Sequence, residues 1–224
     1  MPPEPLKIVQ IEVGLLQNFN ELIFASSGEC AVVDPAFEVD TLLKMAGERN
    51  LRITKILVTH SHHDHVDGVD EMVKATGAKV YVGRGEVEIT QRASPSAQIE
   101  PLDGGEQIPL GANKIETIST PGHTVAGISY LADGAVITGD TLFIGGCGRS
   151  DFSGGDPRVL WRSLQKLAAL PEETRVFPGH NYGATETSTI GWELSSNPYL
   201  LCKTEDEFVA LRTGKHPPRP AKKI

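Results

Sequence analysis

The sequence predicts an α/β (α+β) fold in which two β-sheets pack face to face with helices outside them. Short β-branched apolar runs alternate with helix-period segments in both halves of the chain, and Gly, Pro and Asp-Gly signals punctuate them. A chain of 224 residues, 39% hydrophobic and 22% charged, is also long enough to bury one substantial core. Residues 1–212 are expected to form one domain, because no Gly/Ser linker, charge block or abrupt change in composition marks a boundary within them. Residues 213–224 read as a basic, Pro-rich tail, with Pro217, Pro218 and Pro220 interleaved with Lys215, Arg219, Lys222 and Lys223.

In chain order, the runs from Lys7 to Val13, Glu21 to Ala25 and Cys30 to Val33 read as strands separated by tight turns at Gly28 and Pro35. The segment from Val39 to Arg49 reads as a helix, since Leu42, Leu43, Met45 and Ala46 give it an apolar face. The buried strand Ile-Thr-Lys-Ile-Leu-Val-Thr follows from Ile53, completing a strand-helix-strand unit. Asp67 is expected to cap a helix through Met72 and Val73 that ends at Gly77, before a strand from Lys79 to Val82. In the second half, Ala112 to Ser119, Ile128 to Leu131 and Ala135 to Thr138 are strand-like, with Asp133-Gly134 as a hairpin turn. Pro157 opens a helix reaching Leu170, Arg175 to Phe177 is a short strand, and Glu205 to Leu211 closes with a helix. Pattern alone leaves the sheet order open.

A net charge of −8 disfavours a nucleic-acid partner, because phosphate binding needs a basic face and only the short tail offers one. The first 16 residues lack a charged stretch followed by an apolar one, and no apolar run approaches the ~18 residues of a membrane span. Neither a signal peptide nor a membrane partner is therefore expected, and a cytoplasmic location follows. Cys30, Cys147 and Cys202 are odd in number and widely spaced, which suits reduced thiols. Within the Gly-rich loop, Cys147 reads as a small packing residue.

The chemistry is concentrated in Thr59-His60-Ser61-His62-His63-Asp64-His65, directly after an apolar strand. Residues two apart on an extended segment face the same side, so His60 and His62 can present imidazoles to one ion. Asp64 and His65 follow the turn and could serve a neighbouring ion or a nucleophile, while His63 points outward. Three further candidates stand in Gly-bounded turns after apolar strands: His123 in Thr120-Pro121-Gly122-His123, Asp140 in Thr138-Gly139-Asp140 and His180 in Pro178-Gly179-His180. Rigid strand ends of this kind project reactive side chains. Each alone would be read as a cap or turn residue; together with the first cluster they make a metal site. Imidazole with carboxylate suits zinc, iron or manganese, and so much nitrogen disfavours calcium and magnesium.

Those seven residues resemble the metallo-β-lactamase superfamily, whose His-x-His-x-Asp-His motif and downstream His, Asp and His are matched by His60, His62, Asp64, His65, His123, Asp140 and His180. The resemblance runs from about Leu6 to Leu201 and implies a four-layer αββα sandwich. It further implies an enzyme with two divalent metal ions, zinc first, with iron and manganese as alternatives. One ion would be held by His60, His62 and His123, the second by Asp64, His65 and His180, with Asp140 bridging. The diiron flavoprotein branch has a glutamate where this chain has His62, which argues against that branch.

Two such cations lower the pKa of a shared water and supply hydroxide at physiological pH to attack a polarised carbonyl, with Asp64 as the catalytic residue that orients it. Thioesters and lactones are easier substrates for this machinery than amides. The Gly139-to-Phe143 and Gly146-Cys147-Gly148 runs resemble the glyoxalase II group, hydroxyacylglutathione hydrolases, which implies a glutathione thioester as the small-molecule substrate. Tyr182, two residues after His180, matches that group's glutathione-contacting tyrosine. Arg149 and Phe152 are further candidates for substrate contacts, and Arg149, Lys215 or Arg219 could meet a glutathione carboxylate. Departures from the group are Arg149-Ser150-Asp151-Phe152 in place of its Lys and Tyr, and the lack of its longer C-terminal helical region. The Cys147-to-Phe152 run, with Ser188-Thr189 and Asn197-Pro198, also resembles the persulfide dioxygenases, which implies one iron on His60, His123 and Asp140. A lactonase or other ester hydrolase is the third reading. Members often form homodimers.

Overall fold

Apolar strands in the first half point alternately into two different cores, and that alternation dictates a layered sandwich. In the computed structural model, which describes residues 3–214, β3 (Glu29–Val33) directs Ala31 and Val33 into one apolar cluster and Cys30 and Val32 into another. The neighbouring β4 (Arg52–Leu57) divides Leu57 and Ile56 in the same way. Strands covered on both faces read as continuous apolar runs, which is why these two were visible in the sequence.

The first sheet runs β1 (Lys7–Val13), β2 (Asn18–Phe24), β3, β4, β5 (Lys79–Gly83), β6 (Ile99–Leu102), with β3 to β6 parallel and β1 and β2 antiparallel. The second runs β14 (Ser188–Thr189), β13 (Arg175–Pro178), β10 (Ala135–Gly139), β9 (Ile128–Ala132), β8 (Asn113–Ser119), β7 (Gln107–Leu110), and β11 (Leu142–Phe143) pairs with β12 (Gly146–Cys147) in a small ribbon after β10. Between the sheets pack Leu57, Ile115, Tyr130, Ile137 and Phe177, and the Tyr130 hydroxyl ties the layers together by donating to the Val58 carbonyl at 2.8 Å. Outside the first sheet, α1 (Val39–Glu48) and α3 (Val69–Thr76) bury Leu42, Ala46 and Met72. Outside the second, α5 (Pro157–Ala168), α6 (Ile190–Ser196) and α7 (Glu205–Arg212) bury Leu160, Leu164, Ile190 and Phe208. The result is the four-layer αββα arrangement.

The β3-α1-β4 unit and the Asp133-Gly134 hairpin stand where the sequence puts them, Asp133 and Gly134 having φ of 43° and 71°. Asp156 caps α5 by accepting from the amides of Arg158 and Val159. Asp67 differs from expectation. It ends the one-turn helix α2 (His63–Val66), and α3 starts after Gly68 with no side-chain cap. The 7-residue helix α4 (Val87–Ala93), like α6, β6 and β7, was not read from sequence. Lys215 and Arg219, with the rest of the basic tail after Gly214, lie outside the described residues. Among the described residues no helix is long and apolar enough to cross a membrane.

Candidate metal centre

Every candidate ligand follows the carboxyl end of a strand, at one rim of the sandwich. β4 leads into the loop with His60 and His62 and into α2 with Asp64 and His65; β8, β10 and β13 lead to His123, Asp140 and His180. Glycine shapes these turns. Gly139 takes φ 49° with a Cβ position only 2.6 Å from the Thr59 Cβ, so a side chain there would push Asp140 off the site.

All seven sequence candidates come together. Nitrogens of His60, His62 and His123 form one group and ligand atoms of Asp64, His65 and His180 another, each group lying within 4.8 Å. His62 Nδ1 is 3.0 Å from His60 Nε2 and 3.1 Å from His123 Nε2. In the second group His65 Nε2 and His180 Nε2 are 3.3 Å apart, and Asp64 Oδ2 lies 3.7 and 3.4 Å from them. Asp140 spans the two groups. Its Oδ1 is 3.5 Å from His65 Nε2 and 3.4 Å from His180 Nε2, whereas its Oδ2 is 3.5 Å from His123 Nε2.

The hydrogen-bond network fixes which nitrogens can bind a cation. Nδ1 of His123 faces the Arg149 carbonyl at 2.6 Å and Nδ1 of His180 the Leu16 carbonyl at 2.9 Å; carbonyls only accept, so both nitrogens carry protons. Nδ1 of His65 meets the Asp34 carboxylate at 2.8 Å. Thr59 gives its hydroxyl proton to Asp34 and so receives one from His60 Nδ1 at 3.0 Å. Four Nε2 atoms are thereby aimed inward as the nitrogens open to a cation, two of them 3.3 Å apart. The buried Asp140 Oδ1 has no hydrogen-bond donor. Tetrahedral coordination at 2.0–2.1 Å would separate ligand atoms by about 3.4 Å, close to the spacings found. These residues fit a divalent cation.

Electrostatics agree. Burial and the neighbouring imidazoles hold His60 neutral, well below its ordinary value. Burial works against a proton on His65 too, but Asp140, Asp34 and Asp64 outweigh it and draw that imidazole up to about 9 in the metal-free protein. For Asp140 burial is outweighed by His65, His180 and His60, so its carboxyl is held far below the usual range. The centre recruits positive charge.

Asp34 and Asn18 were missed by the sequence reading. Asp34, with φ 47°, accepts from the Thr59 amide at 2.6 Å, from the Thr59 hydroxyl and from His65 Nδ1. Its oxygens are thus engaged by protein donors, and it orients His65 rather than facing the centre. An aspartate ending an apolar strand, as Asp140 does, was the signal available. Buried Asn18 donates to the Asp64 carbonyl at 2.9 Å and to Asp64 Oδ2 at 3.3 Å, and nothing local in the sequence marks it.

The three candidate substrate residues line the mouth. Phe152 lies edge-on to His62 and His123, with ring centroids 5.3 and 5.7 Å away, and Tyr182 stacks on His180 at 4.7 Å. Arg149 turns to Asp151, with Nε and Nη2 at 2.9 and 2.8 Å from its oxygens, and covers the Phe152 ring. His63 points outward to solvent beside Asp67. Cys147 is buried among apolar side chains, and burial pushes its thiol up to about 12, in keeping with packing.

The family model of the metallo-beta-lactamase superfamily matches residues 20–180, which holds all seven candidates. The chain belongs to this superfamily. Among the curated relatives of this superfamily member is a hydroxyacylglutathione hydrolase of Cereibacter sphaeroides, 36% identical over 94% of this chain and 80% of the relative. A beta-lactamase hydrolase-like protein of Agrobacterium fabrum is 31% identical over 89% of this chain, which spans only about half (53%) of that relative. The crystal structure of ETHE1 from Myxococcus xanthus superimposes with a TM-score of 0.83 at 30% identity, covering 96% of this chain and 93% of that one. The superfamily member is an enzyme of the metallo-hydrolase class, and its His/Asp clusters suit a divalent metal.

Proposed function

We propose that this chain is a two-metal hydrolase of thioesters, the class to which hydroxyacylglutathione belongs. The observation that carries the reading is the position of Asp140, whose two oxygens face different ligand groups. His60, His62 and His123 would hold one ion and Asp64, His65 and His180 the other, with Asp140 shared and zinc as the expected metal. When bound, the pair supplies a Lewis acid for a carbonyl and lowers the pKa of a water at the site.

The chain's own residues do the rest. Asp64, whose Oδ2 accepts from Asn18, would accept a hydrogen bond from the attacking water and orient it, the catalytic role assigned to it in this reading. Asp34 and the carbonyls of Arg149 and Leu16 hold the imidazole rings in their tautomers. Phe152, packed on His62, and Tyr182, stacked on His180, would flank a bound thioester. A thiolate leaves without prior protonation, so a general acid is not needed. This favours thioesters over amides for the groups present.

A single-iron persulfide dioxygenase is the second reading, supported by the Cys147-to-Phe152 run, by the likeness to ETHE1 and by the proximity of His60, His123 and Asp140. His180→Ala separates the two. In a two-metal hydrolase it lowers kcat/KM for thioester cleavage by more than the roughly 10–100-fold contributed by outer partners of ligands. Persulfide-dependent oxygen uptake that survives the substitution would contradict the hydrolase.

A further inference from the structure

Exposed apolar side chains are scattered singly on most folded proteins, but here they gather at one place. Seven large apolar residues stand exposed among the described residues, and five of them, Leu15, Leu16, Val125, Phe152 and Tyr182, lie on the loops that hold the metal cluster. The Leu16 carbonyl accepts from His180, and Leu15 beside it is fully exposed. Tyr182, stacked on His180, is 57% exposed. Across the site Phe152 packs on His62 and His123, and Val125 follows His123 by two residues, its backbone and Cβ against Gly154 of the Phe152 loop and its methyls towards Gly85. Leu16 and Tyr182 thus stand beside His180, and Phe152 stands beside His62 and His123, on opposite sides of the ligand set.

Charge at the mouth points the same way. Glutathione carries two carboxylates, yet the guanidinium of Arg149 is already engaged at both Nε and Nη2 by Asp151. On the Tyr182 side, Asn181 Nδ2 donates to Glu12, a further acidic group.

We infer that the collar of Leu15, Leu16, Val125, Phe152 and Tyr182 selects thioesters whose acyl chain is an uncharged hydrocarbon and whose thiol arm is uncharged too, in preference to glutathione thioesters. The inference rests on the hydrolase reading for its reaction. In that reaction water adds to the acyl carbon, the C–S bond breaks with its electron pair on sulfur, one proton of the water ends on the sulfur and the other passes to solvent, and the thiol and a carboxylate are released.

The test compares kcat/KM for acetyl, butanoyl, hexanoyl and octanoyl thioesters of N-acetylcysteamine with that for S-lactoylglutathione, using the protein with its purified metal content. Full burial of a methylene corresponds to about fourfold, so half-covered chains should gain about two- to fourfold per methylene and overtake S-lactoylglutathione by hexanoyl. Leu15→Asn and Phe152→Ser should flatten that slope; Leu15 is fully exposed, so its replacement does not threaten folding. Calorimetric binding of the S-octyl and S-ethyl thioethers of N-acetylcysteamine gives a readout independent of turnover, with the octyl ligand at least about tenfold tighter. A flat chain-length profile with equal thioether affinities overturns the collar while leaving the hydrolase intact. Absence of any thioester cleavage, with octyl still binding tighter than ethyl, overturns the hydrolase and leaves the collar as a ligand-selecting surface.

Discussion

Asp34 shows how one residue outside the ligand set controls the centre. Its carboxylate accepts a hydrogen bond from His65 Nδ1, so Nε2 is the nitrogen that faces inward. Asp34→Asn would put an amide N–H or a weaker acceptor against that proton and loosen the ring. We expect about a 10–100-fold loss of metal affinity with the fold preserved, read by competitive metal titration alongside circular dichroism. The ligands themselves were legible because four histidines fall within His60–His65 and the others end apolar strands before a glycine. Asp34 and Asn18 were not, because their role depends on which strands lie side by side: β2 and β3 bring them to the loop after β4, and that neighbourhood is tertiary.

Elements were legible to the extent that they carry an apolar face. Helices α1 and α5 bury Leu42, Ala46, Leu160 and Leu164 at helical spacing, and both were anticipated. The two missed helices bury polar groups instead: Thr90 is the buried residue of α4, and α6 buries Glu193 with Ile190. Glu193 accepts from the Gly145 amide at 3.0 Å, from Asn197 Nδ2 at 2.7 Å and from Ser188 Oγ at 2.6 Å, so α6 holds the turn after Phe143, whose ring lies against His180 and Tyr182. Asn197→Ala removes donors to Glu193 and to the Gly146 carbonyl in a buried place and should cost about 1–3 kcal/mol in urea unfolding.

The pairing of β3 with β4 makes a second element-scale prediction. The Lys55 ammonium, then the Gly111 amide, hold the Glu29 carboxyl down at about 2. A depressed carboxyl stabilises the fold above its unfolded value near 4.5, and that contribution is lost as pH falls from there towards 2, where the unfolded chain binds the extra proton. The stability advantage of the native chain over Lys55→Met should therefore be present at pH 7 and shrink below about pH 4.5 in denaturation measured across pH; an advantage that grew on acidification would contradict the assignment.

At the scale of the molecule, the sandwich class followed from runs buried on both faces, but the order of strands in each sheet did not, because many pairings bury the same apolar residues. The centre uses that order. First-sheet residues His60, His62, Asp64 and His65 meet second-sheet residues His123, Asp140 and His180, so a bound metal staples the two sheets at their shared rim. At free metal about a thousandfold above Kd such linkage contributes about 4 kcal/mol, and removal by a chelator should lower Tm by on the order of 10 °C, reversed by zinc. The most direct test of the two-metal thioesterase is elemental analysis of protein purified without added metal, with the same sample assayed for thioester cleavage and for oxygen uptake with glutathione persulfide. Near two metal ions per chain with thioester cleavage is the predicted result; one iron per chain with persulfide-dependent oxygen uptake and no thioester cleavage would contradict it.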